Sequence, residues 1–208
     1  MASLTSAPNW QVIINNPAKR VKAPKAPRLE AKFLDEVQTA HLLECLQSEP
    51  IKYQTMVKLL LYSGMRRGEL CGLEWHDINW NKGTIRIQRS SQYISGKGVF
   101  TKETKTETSD RTIRLPQMAI DVLKTYRIWQ NEERLKLGSD WNDNDRLFTA
   151  WGGNPMHPDS ITSWFSEFVK RYNLPKVSIH SHAIQSADEM ASDVLEDMLK
   201  PKRVGVIG

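Results

Sequence analysis

Two short β-branched runs, "GTIRIQRS" at 83–90 and "DRTIRLP" at 110–116, interrupt a chain that otherwise repeats apolar residues at helical spacing. Strict alternation over four or five residues marks half-buried strands. The polar stretch between them contains Gly96 and Gly98, as the tip of a long hairpin would. A two-stranded ribbon is not stable by itself and must lie on helices. The order helices, hairpin, helices therefore predicts a mainly helical α+β domain with one small antiparallel sheet.

The helical stretches can be placed from their caps and periods. In "FLDEVQTAHLLECLQ" Asp35 is positioned to cap, and Val37, Leu42, Leu43 and Leu46 are expected on the buried side. "IKYQTMVKLLLYSG" repeats Met56, Val57, Leu60 and Leu61, with Gly64 as a C-terminal stop. "RRGELCGLEWHDINW" reads as a short helix running into a turn. "QMAIDVLKTYRIWQNEERLKL" resumes the helical period after Pro116, and "WNDNDRLFTAWGGNPM" reads as loop. "HPDSITSWFSEFVKRYNLP" is a helix with Pro158 at its first position and Ile161, Trp164, Phe165, Phe168 and Val169 on its apolar face.

Composition narrows the class further. The chain has 208 residues and 39% hydrophobic content, which excludes a wholly disordered protein. No apolar run approaches the ~20 residues that span a bilayer, and the opening residues are not expected to form a signal peptide. Cys45 and Cys71 do not make a disulfide framework, so a reduced cytoplasmic compartment and no membrane association are expected. Net charge is +5. It concentrates in "NPAKRVKAPKAP" and the arginine after it, where Lys19, Arg20, Lys22, Lys25 and Arg28 occur without an acid. Three prolines keep that stretch extended, so it either tracks a phosphate backbone or is a solvated linker.

Two segments carry candidate chemistry. Arg66 follows Gly64 at the mouth of a helix, where a phosphate would meet both helix N-terminus and guanidinium; solvent-facing arginines in a turn are the plainer reading. "TKETKTETSDRTIRLP" brings Lys102 and Lys105 onto a hairpin approach, with Arg111 and Arg114 beyond. A lysine there either protonates a leaving oxygen or is an ordinary surface lysine.

Taken together, "LLLYSGMRRGELCGLEWHDINW", "KTETSDRTIRLP" and "LFTAWGGNPMHPDSITSWFSEFVKRYNLPKVSIHS" resemble successive boxes of the tyrosine recombinases, specifically phage- and transposon-type integrases. The resemblance runs from about Asn16 to Ser181. It implies a remnant of the core-binding domain at 1–16, a basic linker at 17–31, a partial catalytic domain at 32–181, and a C-terminal helix with basic tail at 182–208. It also implies double-stranded DNA as partner, no metal and no cofactor. In the family a tyrosine hydroxyl attacks a DNA phosphodiester to give a 3′-phosphotyrosine. Arg66 matches the arginine that clamps the phosphate, and Glu69 a residue that supports it. Lys105 matches the lysine that protonates the departing 5′ oxygen, with Lys102 a poorer match. His180 matches the first histidine of the His-x-x-Arg box. Arg67, Lys102 and the five linker cations are the further expected DNA contacts.

The match breaks after Ser181. The second arginine is expected three residues beyond His180, and Ala183 stands there. Tyr53, Tyr62, Tyr93, Tyr126 and Tyr172 all precede His180, and none has the context of the nucleophile. "HAIQSADEMASDVLEDMLK" resembles the helix that follows the nucleophilic tyrosine, so two family segments are joined with the block between them gone. His180 and His182 would also share one side of a strand, as a metal pair does, but no third ligand cluster lies near. The chain is thus expected to lack cleavage activity alone. Its C-terminal helix either packs on its own domain or docks on another copy or an intact recombinase. Loss of the block is expected to expose apolar surface on "SITSWFSEFVKRY" and "TMVKLLLYSG", giving marginal stability or a dimer.

Overall fold

The structure, a computed structural model, describes residues 34–103 and 110–177. Helix α1 (Glu36–Leu46) begins at a reciprocal cap. The Gln38 amide donates to Asp35 Oδ1 at 2.8 Å, and the Asp35 amide donates to Gln38 Oε1 at 3.2 Å. Leu42, Leu43 and Leu46 are buried as expected, but Val37 is 77% exposed. At ~100° per residue Val37 lies roughly half a turn from the centre of the arc those leucines define, so the helical period itself turns it outward.

Helix α2 (Ile51–Ser63) is the central element, with Thr55, Met56, Val57, Leu59 and Leu60 buried. A helix covered around so much of its circumference needs its polar groups satisfied locally, and the Thr55 hydroxyl donates to the Ile51 carbonyl at 2.8 Å. Gly64 ends the helix in the left-handed region, φ 58°. The chain then turns directly into α3 (Arg67–Gly72).

The strands correct the single long hairpin expected from the sequence. Strands β1 (Ile78–Asn79), β2 (Thr84–Ile87) and β5 (Arg111–Arg114) form one antiparallel sheet in the order β1-β2-β5, with Ile85 opposite Ile113 and Ile87 opposite Arg111. The residues between β2 and β5 fold back on themselves as a separate ribbon, β3 (Arg89–Ile94) with β4 (Gly98–Glu103). Its turn is made by Gly96 and Gly98, at φ 82° and 80°. Polar composition hid the ribbon because only Val99 and Phe100 on β4, and Tyr93 and Ile94 on β3, carry a strand-like apolar signal.

Helix α4 (Gln117–Leu137) packs on α2 and buries Ala119, Ile120, Leu123, Tyr126 and Gln130. The Trp75 indole donates to Gln130 Oε1 at 2.7 Å, and Gln130 in turn donates to the Leu147 carbonyl at 3.1 Å, so a polar core position is satisfied from two loops. Helix α5 (Asp159–Arg171) closes the described domain, one residue later than the proline signal suggested, with Pro158 as its N-cap. Ile161, Phe165, Phe168 and Val169 are buried, and Trp164 stacks on Tyr53 of α2 with centroids 4.2 Å apart. Arg171 donates to Glu49 Oε1 at 2.6 Å, tying the end of α5 to the α1–α2 turn.

Neither stretch expected to expose apolar surface presents a fully exposed large apolar side chain. Every large apolar side chain of 55–64 and 160–172 is buried or half-buried. The exposed large hydrophobics among the described residues lie elsewhere: Val37, Tyr93, Ile94, Ile128, Leu135 and Trp151. The cause is that α5 turns its apolar face into the core while its Trp164 covers part of α2. No described helix is long and apolar enough to cross a membrane.

One contact decides where α3 sits. It lies against β3, and a Cβ added at Gly72 would meet the backbone carbonyl of Arg89 at 3.1 Å and Ser90 Cα at 3.2 Å. Backbone cannot yield as a side-chain tip does. Gly72→Ala is therefore expected to destabilise the domain by about 2 kcal/mol, read as a lower urea midpoint at unchanged slope. A neutral effect would show that α3 and β3 are not in backbone contact.

Candidate functional site

The turn from α2 into α3 delivers Arg66 in extended conformation, φ −76° and ψ 151°, so its side chain leaves the helix axis and is 77% exposed. One turn later Glu69 points back into the protein and is 3% exposed. A buried carboxylate is tolerated only when donors surround it, and here four do. The Arg66 amide donates to Oε2 at 2.9 Å and Arg66 Nη1 to Oε1 at 3.0 Å. Arg111, at the start of β5, donates from Nη2 to Oε2 at 2.8 Å and from Nη1 to Oε1 at 3.3 Å. Burial works to raise the Glu69 carboxyl, but the hydrogen bonds from Arg111 and from the Arg66 amide, with the Arg111 charge, outweigh it and hold the group below the ordinary carboxylate range.

Each carboxylate oxygen thus takes one donor from each arginine. Two guanidinium charges against one carboxylate leave the group with a net positive charge, and Arg66 keeps most of its donors for solvent or an anion. Helix α3 has only six residues, so the guanidinium rather than a helix dipole is the cationic element of this turn.

The other expected site residues distribute as follows. Arg67 pairs closely with Asp159 and donates to Thr162 Oγ1 at 3.3 Å, which fastens α3 to α5. Lys102 is exposed on β4 opposite Ser90. Lys105, His180, His182 and the linker residues Lys19, Arg20, Lys22, Lys25 and Arg28 lie outside the described residues. The structure brings Arg66 and Glu69 together and adds Arg111, which the sequence shows only as one of two arginines in an alternating strand. Its signal was the strand register: Arg111 and Ile113 share the half-buried face of β5, while Thr112 and Arg114 are exposed.

A second arginine was not foreseen at all. Arg146 donates from Nη1 to the Cys71 carbonyl at 3.2 Å and to Ser91 Oγ at 3.0 Å, and its Nη2 contacts Thr101 Oγ1. It ties the end of α3 to both strands of the β3–β4 ribbon. Within "NDNDRLF" it looks like a surface loop residue, because its partners are distant in sequence.

Among the described residues, one group has the donor set for a metal, Glu74, His76 and Asp145. An internal cation, Arg89, already stands against two of its three members. Arg89 donates to Glu74 Oε2 at 2.7 Å and to Asp77 Oδ1 at 2.5 Å, and lies 3.1 Å from His76 Nε2. Cys71 is buried, and burial pushes its thiol up to about 12, so it is not a nucleophile near neutrality. Four of the five tyrosines are engaged with aromatic rings: Tyr53 on Trp164, Tyr93 on His157, Tyr126 among Trp75, Trp129 and Phe148, and Tyr172 on Phe168. Burial raises the pKa of Tyr53 and, further, of Tyr126.

The model of the phage integrase family matches residues 32–199. A XerC-like tyrosine recombinase of Caldanaerobacter subterraneus is 30% identical over 180 residues, covering 78% of this chain and 45% of that protein. The tyrosine recombinase XerA of Pyrococcus furiosus is 33% identical over 113 residues, covering 54% of this chain and 34% of that protein. The chain spans about half the length of the curated relatives it matches. Among solved structures, the Tn1549 transposon integrase in complex with transposon right-end DNA aligns with TM-score 0.63 at 22% identity, over 80% of this chain and 54% of that one. A XerA recombinase aligns with TM-score 0.55 at 23% identity, over 78% and 50%. These similarities bear out the α+β fold with its small antiparallel sheets.

The Glu69 geometry sets a pH dependence. Its folded pKa is depressed, so its stabilising contribution is fully present above the ordinary glutamate value of about 4.3 and is lost as pH falls through the lower folded value. Glu69→Gln is expected to cost about 2 kcal/mol at pH 7, less than the ~3–5 kcal/mol of a fully buried broken pair because both arginines keep contact with water. The variant should also lose less stability than the parent on acidification from pH 5 to 3. Parallel urea midpoints would reveal a structural role of another kind.

Proposed function

The chain belongs to the phage integrase family of tyrosine recombinases, and from that premise we propose that it grips the backbone of double-stranded DNA through Arg66 but does not cleave it alone. The observation that carries this reading is the pairing of Arg66 with Glu69: a buried carboxylate fixes one edge of an otherwise exposed guanidinium, and the group keeps excess positive charge. A preorganised cation of this kind suits charge on non-bridging phosphate oxygens, because little reorganisation accompanies binding. Lys105 and His180 would complete the family's constellation. Lys105 would stand at the departing 5′ oxygen and His180 at the phosphate and its proton transfers.

The chemistry needs two further groups. A tyrosine hydroxyl must attack phosphorus, forming the phosphotyrosine bond as the 5′ oxygen leaves with a proton. A second guanidinium must share the developing charge. Ala183 stands where that arginine is expected, and the aromatic-packed tyrosines have no resemblance to the family's nucleophile. Loss of one charge-stabilising donor typically costs ~3–4 kcal/mol in the barrier, and loss of the nucleophile removes the covalent route. The basic linker and Lys102 are proposed as added backbone contacts. Arg67 is already paired with Asp159 and would reach DNA only from within that pair. The family match continues past Ser181 to residue 199, which supports reading 182–199 as the segment that follows the family's tyrosine. That segment is the proposed docking element toward another copy or an intact recombinase. A cytoplasmic location belongs to the same proposal.

Binding should weaken steeply with salt. Arg66→Ala is expected to reduce the slope of log affinity against log salt by about 1, as for loss of one phosphate contact. Incubation with a nicked suicide duplex should give no covalent protein–DNA adduct on a denaturing gel. An unchanged salt slope in the variant would remove Arg66 from the interface. An adduct would overturn the non-cleaving assignment.

A further inference from the structure

We propose that Arg111 is a positioning residue for the Arg66 phosphate contact, acting through the shared Glu69 carboxylate rather than by touching DNA. The inference rests on the reading of Arg66 given above. Both terminal nitrogens of Arg111 are committed to Glu69, at 2.8 and 3.3 Å, and its side chain is 31% exposed against 77% for Arg66. The two arginines attached to one carboxylate are therefore not equivalent: one faces out and the other is used from within.

The geometry explains why a second arginine is needed there. If Arg66 alone faced Glu69, both carboxylate oxygens would be free to fold its guanidinium down and cancel its charge. With Arg111 in place, each oxygen already accepts a bond from β5, and Arg66 makes one side-chain bond to Oε1 at 3.0 Å. The carboxylate then fixes the orientation of Arg66 without consuming its fork. Lysine cannot do this, since two parallel donors are required to hold both oxygens at once.

Arg111 is itself held against rotation. Its neighbour Asp110 accepts from Arg86 Nε at 3.0 Å and from Nη2 at 2.6 Å, on β2. Arg111 lies opposite Ile87 of the same strand. Two consecutive residues at the start of β5 thus grip two different elements, and the register of the sheet sets where the Glu69 clamp lies. Lys105 is six residues upstream in the chain, so the same clamp anchors the strand into which the segment carrying Lys105 leads.

A double-mutant cycle on DNA binding tests the proposal, using the full chain, a fluorescent 30-base-pair duplex of arbitrary sequence as the probe, and low salt. Arg66→Ala is expected to weaken binding about tenfold and Arg111→Ala about fivefold, while adding Arg111→Ala to the Arg66→Ala variant changes nothing further. Arg111→Lys keeps the charge but loses the fork, and should recover less than half of the lost affinity. Equal weakening by Arg111→Ala in both backgrounds, or full rescue by lysine, would show a direct or merely electrostatic contact and overturn the proposal. No effect of Arg111→Ala where Arg66→Ala does weaken binding would overturn it as well, leaving the Arg66 reading intact. No effect of Arg66→Ala would instead sink that reading and this proposal with it. Should Arg111→Ala not fold by circular dichroism, Arg111→Gln, which keeps an amide donor toward Glu69, carries the same comparison.

Discussion

A single buried carboxylate organises this domain's cationic edge. Glu69 is buried, and its ionised form is held by four hydrogen bonds drawn from two elements that are distant in sequence. Removing a charge from water is costly, and only such a set of donors offsets it. The same bonds that make the carboxylate tolerable also aim Arg66 outward and pin β5 to α3. Under the proposed function, stability and DNA contact would therefore be coupled at one residue.

That coupling depends on how closely α3 approaches the ribbon. Gly68 and Gly72 lie one turn apart on α3, and a side chain at either would run into Ser90, Ser91 or the Arg89 backbone. Arg146 then satisfies the carbonyl of Cys71 left open at the end of the helix and bonds to Ser91 as well. Beside it, Arg89 occupies the centre of an acidic group formed by Glu74 and Asp77. Arginines used internally in this way are structural cations. They leave Arg66 distinguished by its exposure rather than by its residue type.

Much of the fold was legible in the sequence because helices advertise themselves through period and caps. The Asp35 cap, the Gly64 stop and the apolar face of α5 all carry such signals, and the structure has each of them. Val37 departs from its apolar type because its helical angle turns it away from the arc of Leu42, Leu43 and Leu46. The β3–β4 ribbon was missed because its strands are mostly polar and its packing comes from glycines on α3. At the candidate site, Arg66 was marked by its place at the mouth of α3 and by the family resemblance, and Glu69 by the resemblance alone. Arg111 was present in the same motif but without a role, since only the pairing of β5 with β2 turns it toward Glu69. Arg146 and Arg89 were illegible because their partners are brought to them only by the packing of α3, the ribbon and the turn after α3, and ion pairing leaves no periodic trace.

The most direct measurement is a crystal structure of the chain with a short DNA duplex. The account predicts a non-bridging phosphate oxygen about 2.9 Å from a free Arg66 nitrogen, with Arg111 still bonded to both oxygens of Glu69. A duplex seated on another face, or Arg111 swung off Glu69 onto the phosphate, would contradict it.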